Sequence, residues 1–245
     1  MDQFTVSLAE IPIGIQPISP KMQKVFTDYL SSGTPRFIVA PSKADLEYER
    51  TIYERRNMES LPFTLKEEEK MEVSALLRLI ANRIPEYDAI LFHGSAIAFN
   101  GKAYLFAARS GTGKTTHTQL WLQQLPKAYV LNGDKPFLKI HDSGQIFACG
   151  TPWQGKERLG CSEILPLEAI CLLERSEENH ISLVTPKDVS NALLHQVHLP
   201  EGAAGVLAIQ VLNRIIRGIR LFRLGCNMEP EAARVSIRAM VSGLR

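Results

Sequence analysis

The sequence predicts an α/β protein: a mixed, twisted sheet carrying a phosphate-binding loop, with a small N-terminal α+β lobe before it and a helical C-terminal tail after it. Three observations predict this. The stretch "FAARSGTGKTTHTQLW", residues 106–121, runs from an apolar segment through a glycine-broken turn into a helical pattern. Short β-like runs separated by turn residues fill the segment from 88 to about 175, and helical patterns dominate from about 187 onward.

The elements follow in order. Residues 1 to about 85 hold short alternating or apolar runs, FTVSLAEIPIGI and RFIVAP, divided by Pro and Gly and read as strands. "DLEYERTIYERRNMES", residues 45–60, is dense in charge and reads as a solvated face. KEEEKMEVSALLRLIANRI then places Met71, Leu76, Leu77 and Ile80 near one face of a helix, which Pro85 ends. AILF and SAIAF are short strands. Asn100-Gly101 joins SAIAF to KAYLFA as a two-residue hairpin. KTTHTQLWLQQL is a helix stopped by Pro126, and AYVLN is the next strand. FLKIH and QIFACG pair around Asp142-Ser143-Gly144, and PLEAICLL is a further buried strand. DVSNALLHQV, AAGVLAIQVLNRIIRGI and EPEAARVSIRAMVSGL are helical, with a short LFRL strand between the last two. The expected units are an N-terminal lobe over 1–85, a phosphate-loop core over 86–185 and a C-terminal helical segment over 186–245.

With 245 residues, 45% hydrophobic and 22% charged, the chain has the composition of an ordinary globular protein with a sizeable core. A net charge of +2 leaves no electrostatic footprint for nucleic acid. No window of about 18 uninterrupted apolar residues exists, so no membrane span is expected. Cys149, Cys161, Cys171 and Cys226 show no CxxC spacing, which argues against a zinc site or a disulfide framework. Free thiols and the absence of a basic n-region at the N-terminus are read as those of a cytoplasmic protein.

The chemistry centres on ARSGTGKT, residues 108–115, which fits the Walker A type of loop with Ala108 where the strict pattern has its first Gly. Gly111 and Gly113 allow the φ values that turn successive N–H groups inward, and the following helix adds its positive N-terminus. The loop and helix start, Arg109, Ser110, Gly111, Thr112, Gly113, Lys114, Thr115 and Thr116, are therefore the expected nucleotide contacts. Lys114 brings a full charge to the β- and γ-phosphates, and the Thr115 hydroxyl is placed to ligate Mg²⁺. Asp134, after the strand that follows the loop helix, is the carboxylate expected to bind Mg²⁺ or take a hydroxyl proton. His93, between apolar runs, reads on its own as a structural residue, and His117 as a surface or packing residue. "CGTPWQGKERLG" reads either as a surface turn or as a clamp in which Trp153 offers a flat face and Lys156 or Arg158 a charge. Arg214, Arg217, Arg220 and Arg223 form a basic series. The first three share a helix face if that helix reaches Arg220.

Over residues 88 to 175 these features resemble the HPr kinase/phosphorylase group, whose nucleotide-binding core is also similar to that of phosphoenolpyruvate carboxykinase. The resemblance rests on His93-Gly94 upstream of the loop, twenty-one residues before Lys114, on SGTGKTT itself, and on an acidic pair reduced here to Gly133-Asp134. It implies a serine kinase using ATP and Mg²⁺, with His93, Asp134 and Lys114 catalytic and Asp134 the base for the accepting serine. It also implies a metal-binding Glu in a downstream loop, best matched by Glu157, so that Thr115, Asp134 and Glu157 are the metal candidates. The chain most resembles the smaller HPr-kinase-like bacterial proteins, some of which phosphorylate a peptide serine; family members often assemble, which implies a homo-oligomer. The acceptor is then a serine of a protein or peptide. A small-molecule kinase with the same core is one alternative. A nucleotide-binding regulatory or scaffold protein without turnover is another, supported by the missing acid at Gly133. A full carboxykinase needs a much longer chain.

Overall fold

The computed structural model describes residues 2–56, 65–109, 111–155 and 157–241. The chain begins with a hairpin of β1 (Phe4–Leu8) and β2 (Ile11–Ile15), joined by Ala9 and Glu10, both at positive φ as a tight two-residue hairpin turn demands. Val6, Leu8, Ile11, Ile13 and Ile15 are buried, as period-2 alternation requires of a half-covered sheet. After the short helix α1 (Met22–Val25), β3 (Phe37–Val39) adds parallel to β2.

α3 (Glu67–Arg83) packs against this small sheet, and α2 (Lys43–Arg56) packs on α3. The charge-dense run read as a solvated face is largely α2, a solvent-facing helix, and its residues 57–60 lie outside the described residues. Arg78 of α3 ties the helices together, reaching Asp45 at 2.8 Å and Glu49 at 2.6 Å. Glu72 of α3 is buried and accepts hydrogen bonds from the Ile18 and Ser19 N–H groups at 2.7 and 2.9 Å, which ties the chain beyond β2 onto this helix. Met71, Leu76 and Ile80 are buried as the helical pattern predicts, and Leu77 is half-buried.

The second sheet contains β4 (Ala89–Leu91), β5 (Ser95–Phe99), β6 (Lys102–Ala107), β7 (Tyr129–Asn132), β8 (Phe137–Ile140), β9 (Ile146–Cys149), β10 (Ile164–Arg175), β11 (His180–Val184) and β12 (Arg220–Cys226). Asn100 and Gly101, both at positive φ, close the β5–β6 hairpin as the sequence predicts. β10 is unusually long because it serves two layers. Ile164–Pro166 pair antiparallel with β9, and from Leu167 onward the strand runs parallel to β6, with β12 parallel on its other side. The sheet is mixed and curled, as the α/β assignment expects.

Strand direction decides where chemistry can gather. β5 is antiparallel to both β6 and β7, so β6 and β7 run the same way one strand apart, and β10 and β12 run with them. The C-terminal ends of β6, β7 and β10 and the start of β5 therefore share one edge of the sheet.

Three helical layers cover the strands. α4 (Lys114–Gln124) and α7 (Pro230–Val241) bury Trp121, Ala233, Ala239 and Met240 with Tyr104 and Phe222 on one face. α5 (Pro186–Leu194) and α6 (Ala203–Gly218) bury Leu193, Val211, Leu212 and Ile215 on the other. Against the β4–β8–β9 part, the N-terminal lobe packs Val73, Leu76 and Ile80 onto Ala89, Leu91, Phe137 and Cys149.

The tail is woven into the sheet rather than merely packed on it, because β12 lies between β10 and β11. α6 ends at Gly218, so Arg220 does not continue the basic helix face but opens β12 and pairs with Glu168 at 2.7 Å. Arg223 pairs with Glu174 at 3.4 Å, and Arg214 pairs with Asp88. Arg217 falls in the last turn of α6. All four cysteines are free thiols. No helix among the described residues is long and apolar enough to cross a membrane.

Candidate functional site

The glycine loop leaves the C-terminal end of β6 and enters α4 at Lys114. Gly111 sits at φ 75° and Gly113 at φ 120°, with open space where a Cβ would stand; the backbone conformation, not crowding, asks for glycine there. The Thr112 N–H donates to the Arg109 carbonyl at 3.2 Å, and the His117 N–H starts the helical ladder on the Gly113 carbonyl at 2.9 Å. Arg109 is exposed, Thr116 half-buried, and Ser110 lies outside the described residues. Arg175, the last residue of β10, donates Nη2 to the Gly111 carbonyl at 2.6 Å and braces the loop from the neighbouring strand. The sequence did not single out this arginine, since its signal is a strand pairing 64 residues away.

Lys114 is half-buried, and among the described residues its only hydrogen bond is from Nζ to the Ala108 carbonyl at 3.0 Å. Burial, with Lys135 adding to it, pulls its pKa below the usual lysine value, while Asp134 works against both. Among the described residues two of its three ammonium protons find no partner beside a bent loop and a helix N-terminus, a setting that favours an anion.

Asp134 is fixed from the backbone outward. Asn132, the fully buried last residue of β7, accepts at Oδ1 from the N–H groups of Asp134 (3.0 Å) and Lys135 (2.7 Å). Its Nδ2 donates to the carbonyl and hydroxyl of Thr151 at 3.1 and 3.0 Å, and the Thr151 hydroxyl donates to the Lys135 carbonyl at 2.7 Å. His93 precedes β5 on the same edge, and its Nε2 lies 3.3 Å from Asp134 Oδ1. Lys135 Nζ closes on Asp134 Oδ2. Burial pushes the Asp134 carboxyl up, but the His93 hydrogen bond and the Lys135 ammonium outweigh it and hold the group well below the usual carboxylate range. Lys135 is a second residue that the sequence reading did not single out.

The loop after β9 closes over this turn. A Cβ on Gly133 would stand 2.8 Å from the Gln154 carbonyl oxygen and 3.3 Å from that of Leu159, while the Gly133 N–H donates to Leu159 at 3.0 Å. The position where the resemblance calls for another acid has no room for one. Gly155, at φ 80°, lies against Asp134, whose Cβ is 3.0 Å from where a Gly155 Cβ would be, with Glu157 Oε2 at 3.9 Å from the same point. Glu157 is exposed and borders a narrow crevice with Thr115, Thr118 and Ser95. Asp134 and Glu157 thus flank Gly155, and Thr115 meets Glu157 across the crevice. Among the described residues no three His, Cys, Asp or Glu side chains form a metal-binding group.

Other candidates have structural work. His117 is buried with Nε2 3.1 Å from Ser236 Oγ and its ring edge-on to Phe106; burial drives its pKa down to about 4. Trp153 is not an exposed clamp: it is buried, donates Nε1 to the Val73 carbonyl at 3.1 Å and packs edge-to-face on Phe26, leaving only a small part of its ring on the wall of a cleft. Lys156 lies outside the described residues, and Arg158 is exposed. Beside Asp134 and Lys135 opens a cleft of about 760 Å³ between the N-terminal lobe and the 152–158 loop, with Tyr29, Tyr48, Leu77 and Trp153 among its walls.

No protein-family model matches the sequence, and no curated protein matches it. Among solved structures, the Hpr(Ser) kinase/phosphatase from Coxiella burnetii is similar over 62% of this chain and 93% of that chain, at 10% sequence identity and a TM-score of 0.36.

Proposed function

We propose that this protein is an ATP-dependent kinase that transfers the γ-phosphoryl group to a hydroxyl, that of a serine in a protein or peptide. The observation that carries this reading is the shared sheet edge: the anion-favouring loop with Lys114 at the end of β6, and the ionised Asp134 with His93 at the end of β7 and the start of β5.

The backbone N–H groups of Gly111 and Gly113, with those of Lys114, Thr115 and Thr116 at the start of α4, receive the β- and γ-phosphates, and Lys114 neutralises them. The donor set fits magnesium, which binds through one or two carboxylates with phosphates and waters completing its shell: the Thr115 hydroxyl and the Asp134 and Glu157 carboxylates would hold it. When bound, the metal supplies charge neutralisation at the transferring group. The acceptor oxygen forms its bond to the γ-phosphorus as the bond from that phosphorus to the β,γ-bridging oxygen breaks. ADP leaves, and the hydroxyl proton passes to Asp134. Asp134 is a weak base while His93 and Lys135 hold it, but a loose transition state asks for the proton only late. Positioning and electrostatics then supply most of the acceleration. The free thiols fit a reducing cytoplasm.

Calorimetry with MgATP on the native chain and on Lys114→Ala, together with ADP release over a panel of serine peptides, tests the proposal. Uptake by the native chain alone and peptide-dependent ADP release are expected. Absence of uptake overturns it. Uptake with no turnover on any acceptor favours a regulatory nucleotide-binding protein, the reading that Gly133 supports.

A further inference from the structure

We infer that the cleft between the N-terminal lobe and the loop after β9 is the acceptor site, and that its occupant is an extended peptide segment whose serine lies next to an apolar side chain and close to an acidic one. The inference rests on the kinase reading and gives its substrate a class.

Position comes first. Asp134 and Lys135 line the cleft, whereas none of the described residues from Arg109 to Thr116 does. The cleft therefore meets Asp134 from a side that the phosphate loop leaves free. In-line transfer needs the attacking oxygen and the leaving β,γ-bridging oxygen on opposite sides of the γ-phosphorus. A cleft that reaches Asp134 away from the loop lets the acceptor hydroxyl approach from the side opposite the leaving group, with Asp134 beside it.

Size and surface come next. A volume of about 760 Å³ lies high in the usual range for ligand sites, roughly 300–1,000 Å³. Free serine or another small hydroxy acid would leave most of it empty. The walls include Val25, Leu77 and Leu91 and the rings of Tyr29 and Trp153. The polar atoms of those rings are already used, Tyr29 Oη on the Cys161 carbonyl and Trp153 Nε1 on the Val73 carbonyl. What the rings present to an occupant is apolar, so a hydroxyl-bearing residue alone would not match the walls and an apolar neighbour would.

Charge selects further. Of the cations lining the cleft, Lys21 is paired with Glu69, Arg78 with Asp45 and Glu49, and Lys135 with Asp134. Among the described residues Lys24 and Arg158 have no ion pair, and both are exposed, against one such anion, Asp28. Two free cations to one free anion favour an acidic residue near the serine.

The test uses the full chain, labelled ATP with magnesium, an oriented serine-peptide library and free serine. Peptides with an apolar residue adjacent to the serine and an acidic one nearby are expected to be enriched, with free serine at least about a hundredfold poorer in kcat/KM, the discrimination that lost contacts of this kind supply. Ser74→Trp fills the cleft from α3 and is expected to raise the peptide KM about tenfold with kcat held, the signature of lost ground-state binding. Lys24→Glu, at an exposed position that does not threaten folding, is expected to move the library preference from acidic toward basic neighbours. Peptide phosphorylation with an unchanged KM in Ser74→Trp and an unchanged preference in Lys24→Glu overturns the cleft while leaving the kinase standing. Free serine used as well as the best peptides overturns the peptide class. Failure of the native chain to take up MgATP, read separately by calorimetry, brings down the kinase reading and this inference with it.

Discussion

His93 and Asp134 are joined through two links in one place. The imidazole Nε2 stands 3.3 Å from Asp134 Oδ1, and the next peptide along, the N–H of Gly94, donates to the Asp134 carbonyl at 2.9 Å. The His-Gly pair thus holds both the side chain and the main chain of one aspartate. A Cβ on Gly94 would come within 2.9 Å of the Phe106 carbonyl oxygen on β6, so glycine is what lets β5 start this close to its neighbour. Asp134→Asn keeps the backbone link and removes the charge. Phosphoryl transfer is expected to fall by about 10²–10⁴-fold, the usual worth of a positioned proton acceptor. MgATP affinity is expected to stay within an order of magnitude; peptide phosphorylation and calorimetry check both.

Gly133→Asp restores the missing acid of the pair that the resemblance calls for. With the Gln154 carbonyl 2.8 Å from the new Cβ, it is expected to lower stability by about 1–3 kcal/mol, the cost of overpacking, and to add no activity. Urea unfolding and turnover assays on the same preparation measure the two effects.

Arg175→Ala removes a charge-assisted hydrogen bond from the loop but touches no buried apolar group. Nucleotide affinity is expected to weaken by about fivefold, corresponding to about 1 kcal/mol at an exposed site, with the melting temperature nearly unchanged. Calorimetry and thermal unfolding read these.

His117 sets a pH dependence of stability. Burial lowers its folded pKa from 6.5 to about 4, so the folded state keeps it neutral while the unfolded chain takes up a proton below pH 6.5. Its contribution is complete above about pH 6.5 and is lost as pH falls toward 4, by about 3 kcal/mol over the window. His117→Gln is expected to flatten the stability curve between those values in urea titrations. Native and variant curves that stay parallel there would refute this.

Trp121, fully buried against Tyr104 and Phe106 and bonded through Nε1 to Ser236 Oγ at 2.7 Å, joins α4 to α7. Trp121→Ala is expected to cost about 3–5 kcal/mol by chemical denaturation, as large-to-small core changes do.

What the sequence disclosed follows the range of each interaction. The β5–β6 hairpin, the loop glycines and the start of α4 are encoded within a few residues, and they were legible as written. The position of Asp134 was legible because it follows the next strand, although the sheet sets that strand one place away from β6. Arg175 and the 760 Å³ cleft depend on β10 lying beside β6 and on α2 and α3 standing over the 152–158 loop, and no local pattern encodes either. β11 was missed because its residues are mostly exposed and lack clean alternation, and α2 because charge masks its few apolar positions. The sequence leaves open whether the basic helix face reaches Arg220, because one glycine, Gly218, separates the helix from a strand that the sequence does not delimit sharply; the structure ends the helix there.

The double membership of β10 has a mechanical outcome. A single continuous strand underlies both the floor that carries the glycine loop and the part of the sheet on which the N-terminal lobe rests, so those two floors cannot swing apart like the halves of a shell without breaking it. Whatever opens or narrows the cleft beside Asp134 is then left to the elements above that floor, α2, α3 and the loop around Gly155, which line it.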